Sequence, residues 1–191
     1  MQDRLFVDMD GTMTVFRQVD TLETLYEQGY FLNLPPQMNV VESIKYVMEN
    51  YNEDIEVYIM SSVLTDSKYA LEEKNAWIDK YIPEIDKDHR IFPPCGTDKK
   101  EYIPGGVRES DYLFDDYTHN LILWEPPAKG IKLLNGINDT NATWIGSKLD
   151  YRKNGEQLAK DIVTIMQNRA VIRDTVPRKE EKMENLENTK R

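Results

Sequence analysis

Five short apolar runs, each halted by a polar residue or a turn, decide what this chain can fold into. Leu5-Phe6-Val7 stops at Asp8, Val57-Tyr58-Ile59-Met60 at Ser61, and Ile91-Phe92 at Pro93-Pro94. Tyr112-Leu113-Phe114 stops at Asp115-Asp116, and Ile131-Lys132-Leu133-Leu134 at Asn135-Gly136. Runs this short suit buried strands rather than helices, which need longer stretches of 3.6-residue periodicity. That periodicity lies between them. Val40, Val41, Ile44, Val47, Met48 and Tyr51 would line one helical face, opened by a capping box of Asn39 and Glu42. Asp66 is placed to cap a second helix that turns Ala70, Leu71, Trp77, Ile78 and Tyr81 inward. Leu158, Ile162, Ile165 and Met166 make a third face.

Strands alternating with helices predict βαβ units, hence an α/β fold: a three-layer, Rossmann-like arrangement around a mostly parallel sheet. Right-handed crossovers bring the C-terminal ends of such strands to one edge, where ligands bind. Asp8, Ser61 and Asp115 are therefore expected to converge. Residues 14–38 break the rhythm. Asp20 to Gly29 reads as a helix with Leu22, Leu25 and Tyr26 apolar, and Tyr30 to Pro36 as an aromatic stretch broken by proline. The expected organisation is a core of residues 1–13 and 39–176, a small helical cap at 14–38 inserted after the first strand, and a charged tail at 177–191.

A length of 191 residues suffices for one such domain. The formal net charge of −10 repels a nucleic-acid backbone, so a duplex is not an expected partner. A small anion is still admissible, because a bound cation reverses the field inside a pocket. One cysteine, Cys95, allows no internal disulfide and fits a reducing compartment. The opening residues MQDRLFVDMDG lack a basic segment followed by a long apolar run. No apolar stretch approaches the roughly 20 residues of a membrane span. A soluble cytoplasmic protein without a membrane partner is expected, and the oligomeric state is not legible.

The densest chemistry is FVDMDGTMT, residues 6–14. Two carboxylates, Asp8 and Asp10, stand two positions apart at a strand end, and Gly11 lets the chain turn so that both line one pocket. One can serve as nucleophile and metal ligand while the other moves protons. An acidic strand-end turn without chemistry is the plain alternative, since Asp-Gly is a common turn.

This segment resembles the first motif of the haloacid dehalogenase (HAD) superfamily, a strand followed by Asp-x-Asp-Gly-Thr/Val, at Asp8, Asp10, Gly11 and Thr12. The resemblance implies that Asp8 attacks phosphorus and becomes an aspartyl-phosphate. It implies that Asp10 protonates the leaving oxygen, activates water and binds Mg2+ through its main-chain carbonyl. The second motif, a hydroxyl ending the next strand, falls on Ser61, followed by Ser62, both suited to hold phosphate oxygens. The third is a lysine that keeps the nucleophile ionised. Lys74, Lys99 and Lys100 are the candidates. Lys99, at the start of a helix after the third strand, is favoured over Lys100, whereas Lys74 lies mid-helix and reads as structural.

The fourth motif is an acidic pair, here Asp115-Asp116 after Tyr112-Leu113-Phe114. Burying adjacent carboxylates is costly unless a cation compensates. Asp115 is expected as a direct Mg2+ ligand, Asp116 as a water-holding group behind it, and Asn120 as a loop anchor. Oxygen-only ligation suits Mg2+ rather than zinc.

Within the superfamily the sequence is similar to the 5′(3′)-deoxyribonucleotidases, the cytosolic type C 5′-nucleotidase family. The likeness covers Asp8 to Gly11, Phe16, Ile59 to Ser62, Leu113 to Asp116, and the stretch from Tyr117 to Gly136 with Asn120, Trp124 and Asn135. It implies a nucleobase stacked on Phe16, for which a packed cap residue is an equal alternative. The short cap and Val63, where proline often follows the hydroxyls, depart from the pattern and bear on base preference rather than on phosphate chemistry.

The resulting expectation is an Mg2+-dependent phosphomonoester hydrolase acting on nucleoside monophosphates. A phosphatase of another small metabolite, transfer to an alcohol, and a non-catalytic binding or regulatory protein on the same scaffold remain open. His89 and His119 lack zinc spacing, Trp77 and Trp124 read as packing residues, and Trp144 is not placed by the sequence.

Overall fold

In the computed structural model, residues 2–15, 19–138 and 143–175 are described. Among them the six strands are β1 Asp3–Val7, β2 Ile55–Met60, β3 Arg90–Ile91, β4 Asp111–Asp115, β5 Lys129–Leu134 and β6 Ser147–Asp150. They form one sheet in the order β3-β2-β1-β4-β5-β6, with every neighbouring pair parallel. The helices are α1 Met38–Asn50, α2 Ala70–Tyr81, α3 Thr118–Trp124 and α4 Gly155–Asn168. The expected α/β, Rossmann-like architecture is what the chain adopts.

Side chains alternate across the sheet, as the pleat requires. Leu5 and Val7 of β1, Val57 and Ile59 of β2, and Tyr112 and Phe114 of β4 pack with α1, α4 and the inner face of α2. Phe6 and Leu113 point the other way, against Leu121 and Trp124 of α3 and against Trp144. Trp144 is thus a packing residue: a Cβ on Gly130 would lie 2.7 Å from its ring, so the bare glycine admits the indole. The chain runs outward from β1 to β2 and β3, then returns to β4 on the other side of β1. The ends of β1 and β4 therefore flank the switch point where such sheets bind ligands.

Several local readings are corrected. Helix α1 starts at Met38 after Gln37, so Asn39 is not its cap and instead donates to Tyr151 O at 3.1 Å. Ser67, not Asp66, serves α2, accepting from the N–H groups of Tyr69 and Ala70 at 3.3 and 3.2 Å. Asp66 is taken up by the Tyr26 hydroxyl. Leu71 is 50% exposed, because the buried stripe of α2 runs through Ala70, Lys74, Trp77 and Ile78, three to four residues apart. The helix expected over Asp20 to Gly29 shrinks to a 3-10 turn at Leu22–Tyr26 with Leu22 72% exposed. The burial in that region comes from Phe31 and Leu34, packed on Val63 and Ala70. Strand β6 and helix α3 were not anticipated: Ser-Lys-Leu-Asp has no apolar run, and α3 is only 7 residues long.

The segment that leaves after Met13 returns beside it. Val15 N–H donates to Pro35 O and Gln37 N–H to Met13 O, both at 2.7 Å. Phe16 and the tail at 177–191 lie outside the described residues.

Candidate active site

Two strand ends bring the acidic side chains together. Asp8 follows β1 and donates its N–H to Phe114 O of β4 at 2.9 Å, which locks the two strand ends side by side. Asp115 closes β4 and Asp116 follows it. Asp8, Asp115 and Asp116 each present a carboxylate oxygen within 4.8 Å of the others. Asp8 and Asp115 are buried.

One cation stands among them. Lys99, buried at the start of a 3-10 turn over Lys99–Tyr102, places Nζ 2.7 Å from Asp8 Oδ1 and 2.7 Å from Asp115 Oδ2. Burial alone would lower its pKa, but the charges and hydrogen bonds of Asp115 and Asp8 outweigh burial and raise it. Lys100 is turned to the surface, 3.9 Å from Asp98, so the lysine at the carboxylates is Lys99.

The carboxylates are held from behind as well. Asp115 Oδ2 accepts from Asn120 Nδ2 at 2.9 Å and Oδ1 from Tyr117 N–H at 2.7 Å. Asn135 Nδ2 donates to Asp116 Oδ2 and to Gly11 O, both at 2.9 Å. Thr12 Oγ1 accepts the Asp116 N–H at 3.1 Å. Gly11 has φ +82°, and a Cβ there would lie 2.6 Å from Asp116 Oδ2. This motif glycine is therefore required both for its backbone turn and for the close approach of Asp116.

The electrostatics are unbalanced. Burial pushes the Asp8 carboxyl up to about 7, with Lys99 opposing and Asp115 adding to the rise. Burial, then Asp115 and Asp8, push Asp116 well above the carboxylate range. Both rises follow from crowding three buried carboxyl groups around one lysine, a crowding that a bound cation would relieve, and the donors are all hard oxygens. That set fits Mg2+.

A second cluster surrounds Asp10. Lys74 of α2 is fully buried, and its Nζ contacts Asp10 Oδ2, Ser61 Oγ at 2.9 Å and Ser62 O at 2.6 Å. The sequence reading set Lys74 aside as structural because it lies mid-helix. The structure corrects this, since α2 runs back over the end of β2. Lys74, Thr12 and Asn135 are residues whose contacts sequence reasoning missed. Lys74 falls 13 residues after Ser61 in the chain, a spacing that carries no motif on its own. Asp10 Oδ1 is buried and has no partner among the described residues.

Two cavities meet at this point, sharing Asp10, Ser62 and Cys95 as lining. The larger, about 440 Å³, is walled by Asp8, Asp116, Asn120 and His119. The smaller, about 160 Å³, is walled by Leu25, Tyr30, Phe31, Leu34 and Leu64. Burial raises the pKa of the Cys95 thiol.

A parallel sheet with an aspartate, a lysine and an acidic pair gathered at its switch point is the arrangement of the HAD-type phosphomonoester hydrolases, and the family match places the chain among them. The model of the family 5′ nucleotidase, deoxy (pyrimidine), cytosolic type C protein matches residues 9–144, and the chain belongs to that family. No curated protein matches the chain. Among the described residues, no helix is long and apolar enough to cross a membrane.

Proposed function

We propose that this chain is an Mg2+-dependent cytoplasmic 5′-nucleotidase that hydrolyses (deoxy)ribonucleoside monophosphates through an aspartyl-phosphate on Asp8. The observation that carries the reading is Lys99 bridging Asp8 and Asp115 at 2.7 Å, with Asp116 alongside. Asp8 Oδ1 is engaged by Lys99, and Oδ2 is the oxygen that attacks. Asp8, Asp115 and the Asp10 carbonyl would hold Mg2+, with Asp116 behind them. Mg2+ would supply charge neutralisation of the phosphoryl oxygens.

Lys99 opposes the rise that burial imposes on the Asp8 carboxyl and offers its charge to the equatorial oxygens. Ser61 and Ser62 would hold phosphate oxygens, with Ser62 lining both cavities and Ser61 buried behind it against Lys74. Lys74 orients Asp10 through Oδ2, leaving Oδ1, which has no partner among the described residues, to give a proton to the leaving oxygen and then take one from water. The cleaved ester oxygen lies where the two cavities meet, so the leaving group enters the apolar one. Its walls, Tyr30, Phe31 and the leucines, suit a flat ring such as a nucleobase. The described part of the segment 14–38, which supplies Leu25, Tyr30, Phe31 and Leu34 to this cavity, would act as a small cap over that group.

A screen of nucleoside monophosphates, sugar phosphates and phosphorylated small acids, with and without Mg2+, tests the proposal. Mg2+-dependent release of phosphate, fastest from nucleotides, is expected. Absence of turnover across the panel in Mg2+ would favour the binding-protein alternative.

A further inference from the structure

Glu73 is a buried carboxylate that the phosphate chemistry does not use. It precedes Lys74 on α2, and its partners are all backbone. Oε1 accepts from Gly29 N–H, and Oε2 accepts from Phe31 N–H at 3.1 Å and Leu32 N–H at 3.4 Å. Hydrogen bonds to a charged acceptor are roughly twice as strong as neutral ones, so this is a firm clamp. The clamped turn is itself tight: Gly29 has φ +90° and its carbonyl accepts from Asn33 Nδ2 at 2.7 Å.

What the clamp fixes is the wall of the apolar cavity. Tyr30 and Phe31 lie between the clamped amides, and both line it. The Phe31 ring centroid stands 4.8 Å from Lys74 Nζ, the same ammonium that holds Asp10. Adjacent residues of one helical turn thus fix the two sides of one space. Lys74 sets the acid that faces the ester oxygen, and Glu73 sets the rings that face the rest of the leaving group.

We propose that Glu73 is a positioning residue for leaving-group recognition. By clamping the Gly29–Leu32 backbone it sets the gap between the Tyr30–Phe31 wall and Asp10, and so selects phosphomonoesters with a flat-ring leaving group over small open-chain ones. The inference rests on the phosphatase reading above. A carboxylate is needed because three N–H groups must be accepted by one side chain, and a glutamine offers a single acceptor oxygen.

The test compares thymidine 5′-monophosphate with methyl phosphate in the full-length Mg2+-loaded protein. In Glu73→Gln the ratio of kcat/KM values, ring over methyl, falls about tenfold, through KM of the ring substrate, the scale a remodelled apolar pocket gives. Glu73→Asp keeps the charge but draws the clamp back by one methylene, and its ratio falls too. In a Phe31→Leu background Glu73→Gln changes the ratio by less than about twofold, because the two act through one wall. A ratio that stays at the wild-type value, or equal losses on both substrates, would overturn the proposal. If the wild type turns over neither ester, the phosphatase reading fails and the clamp is judged by binding. Thymidine then shifts the amide resonances of Gly29, Phe31 and Leu32 in the wild type and not in Glu73→Gln. Equal shifts in both proteins would overturn it.

Discussion

Lys74, in the middle of α2, reaches the end of β2, where its Nζ lies 2.9 Å from Ser61 Oγ. The same ammonium contacts Asp10, so α2, the end of β2 and the loop after β1 share one charge. Lys74→Met keeps the length and apolar stem and removes that charge. The expected result is a folded protein whose kcat falls by roughly 10²-fold, the lower range for a disabled acid–base group. Steady-state kinetics with circular dichroism check it. A loss under about threefold would mean that Lys74 only fills space.

That residue marks where the sequence stops being legible. Asp8, Ser61 and Asp115 could be placed at one edge because each ends an apolar run, and parallel sheets gather such ends. Lys74 ends nothing. It enters the site because α2 packs back across β2, a tertiary fact with no periodic signature. β6 was missed for a related reason: Ser147, Leu149 and Asp150 are buried by packing and pairing with β5 rather than by an apolar composition. The caps at Asn39 and Asp66 were misread because their side chains found partners elsewhere, at Tyr151 and Tyr26. Asp8, Ser61 and Asp115 were unaffected by these local errors, since each stands at the end of a strand.

Gly11→Ala tests the close approach of Asp116. The new Cβ would sit 2.6 Å from Asp116 Oδ2 at φ +82°. The backbone conformation alone costs about 1–2 kcal/mol, and relief of the clash moves Asp116. A fall of about tenfold or more in kcat/KM is expected alongside a lower melting temperature. Unchanged kinetics would mean that Asp116 need not hold its place.

Metal binding is predicted to stabilise the fold. Mg2+ at about 100 times its dissociation constant adds roughly 2.7 kcal/mol, or about 5–10 °C in melting temperature for a domain of this size. Thermal melts in Mg2+ and in EDTA measure it. Asp115→Asn should lose most of the shift, because Asp115 is buried at the centre of the carboxylate cluster. A full shift in that variant would place the cation elsewhere.

His89 gives the fold a pH dependence far from the site. Its Nδ1 lies 2.7 Å from Asp86 and its Nε2 3.2 Å from Glu56. Burial alone would lower its pKa, but the bonds and charges of Asp86 and Glu56 outweigh burial and raise it above 6.5. A raised folded-state value means the imidazolium stabilises fully below the unfolded value and fades as pH rises through the folded one. Urea unfolding should therefore show stability falling from pH 6 towards pH 9 at this site, and His89→Gln should flatten that slope. An equal slope in the variant would remove His89 as its source.

The central claim is that the carboxylate of Asp8 bonds to phosphorus. Borohydride quenching during turnover reduces an acyl phosphate to an alcohol, which peptide mass spectrometry locates. The account predicts that alcohol at residue 8, only when substrate and Mg2+ are both present. Reduction at another carboxylate, or continued turnover with residue 8 unmodified, would contradict it.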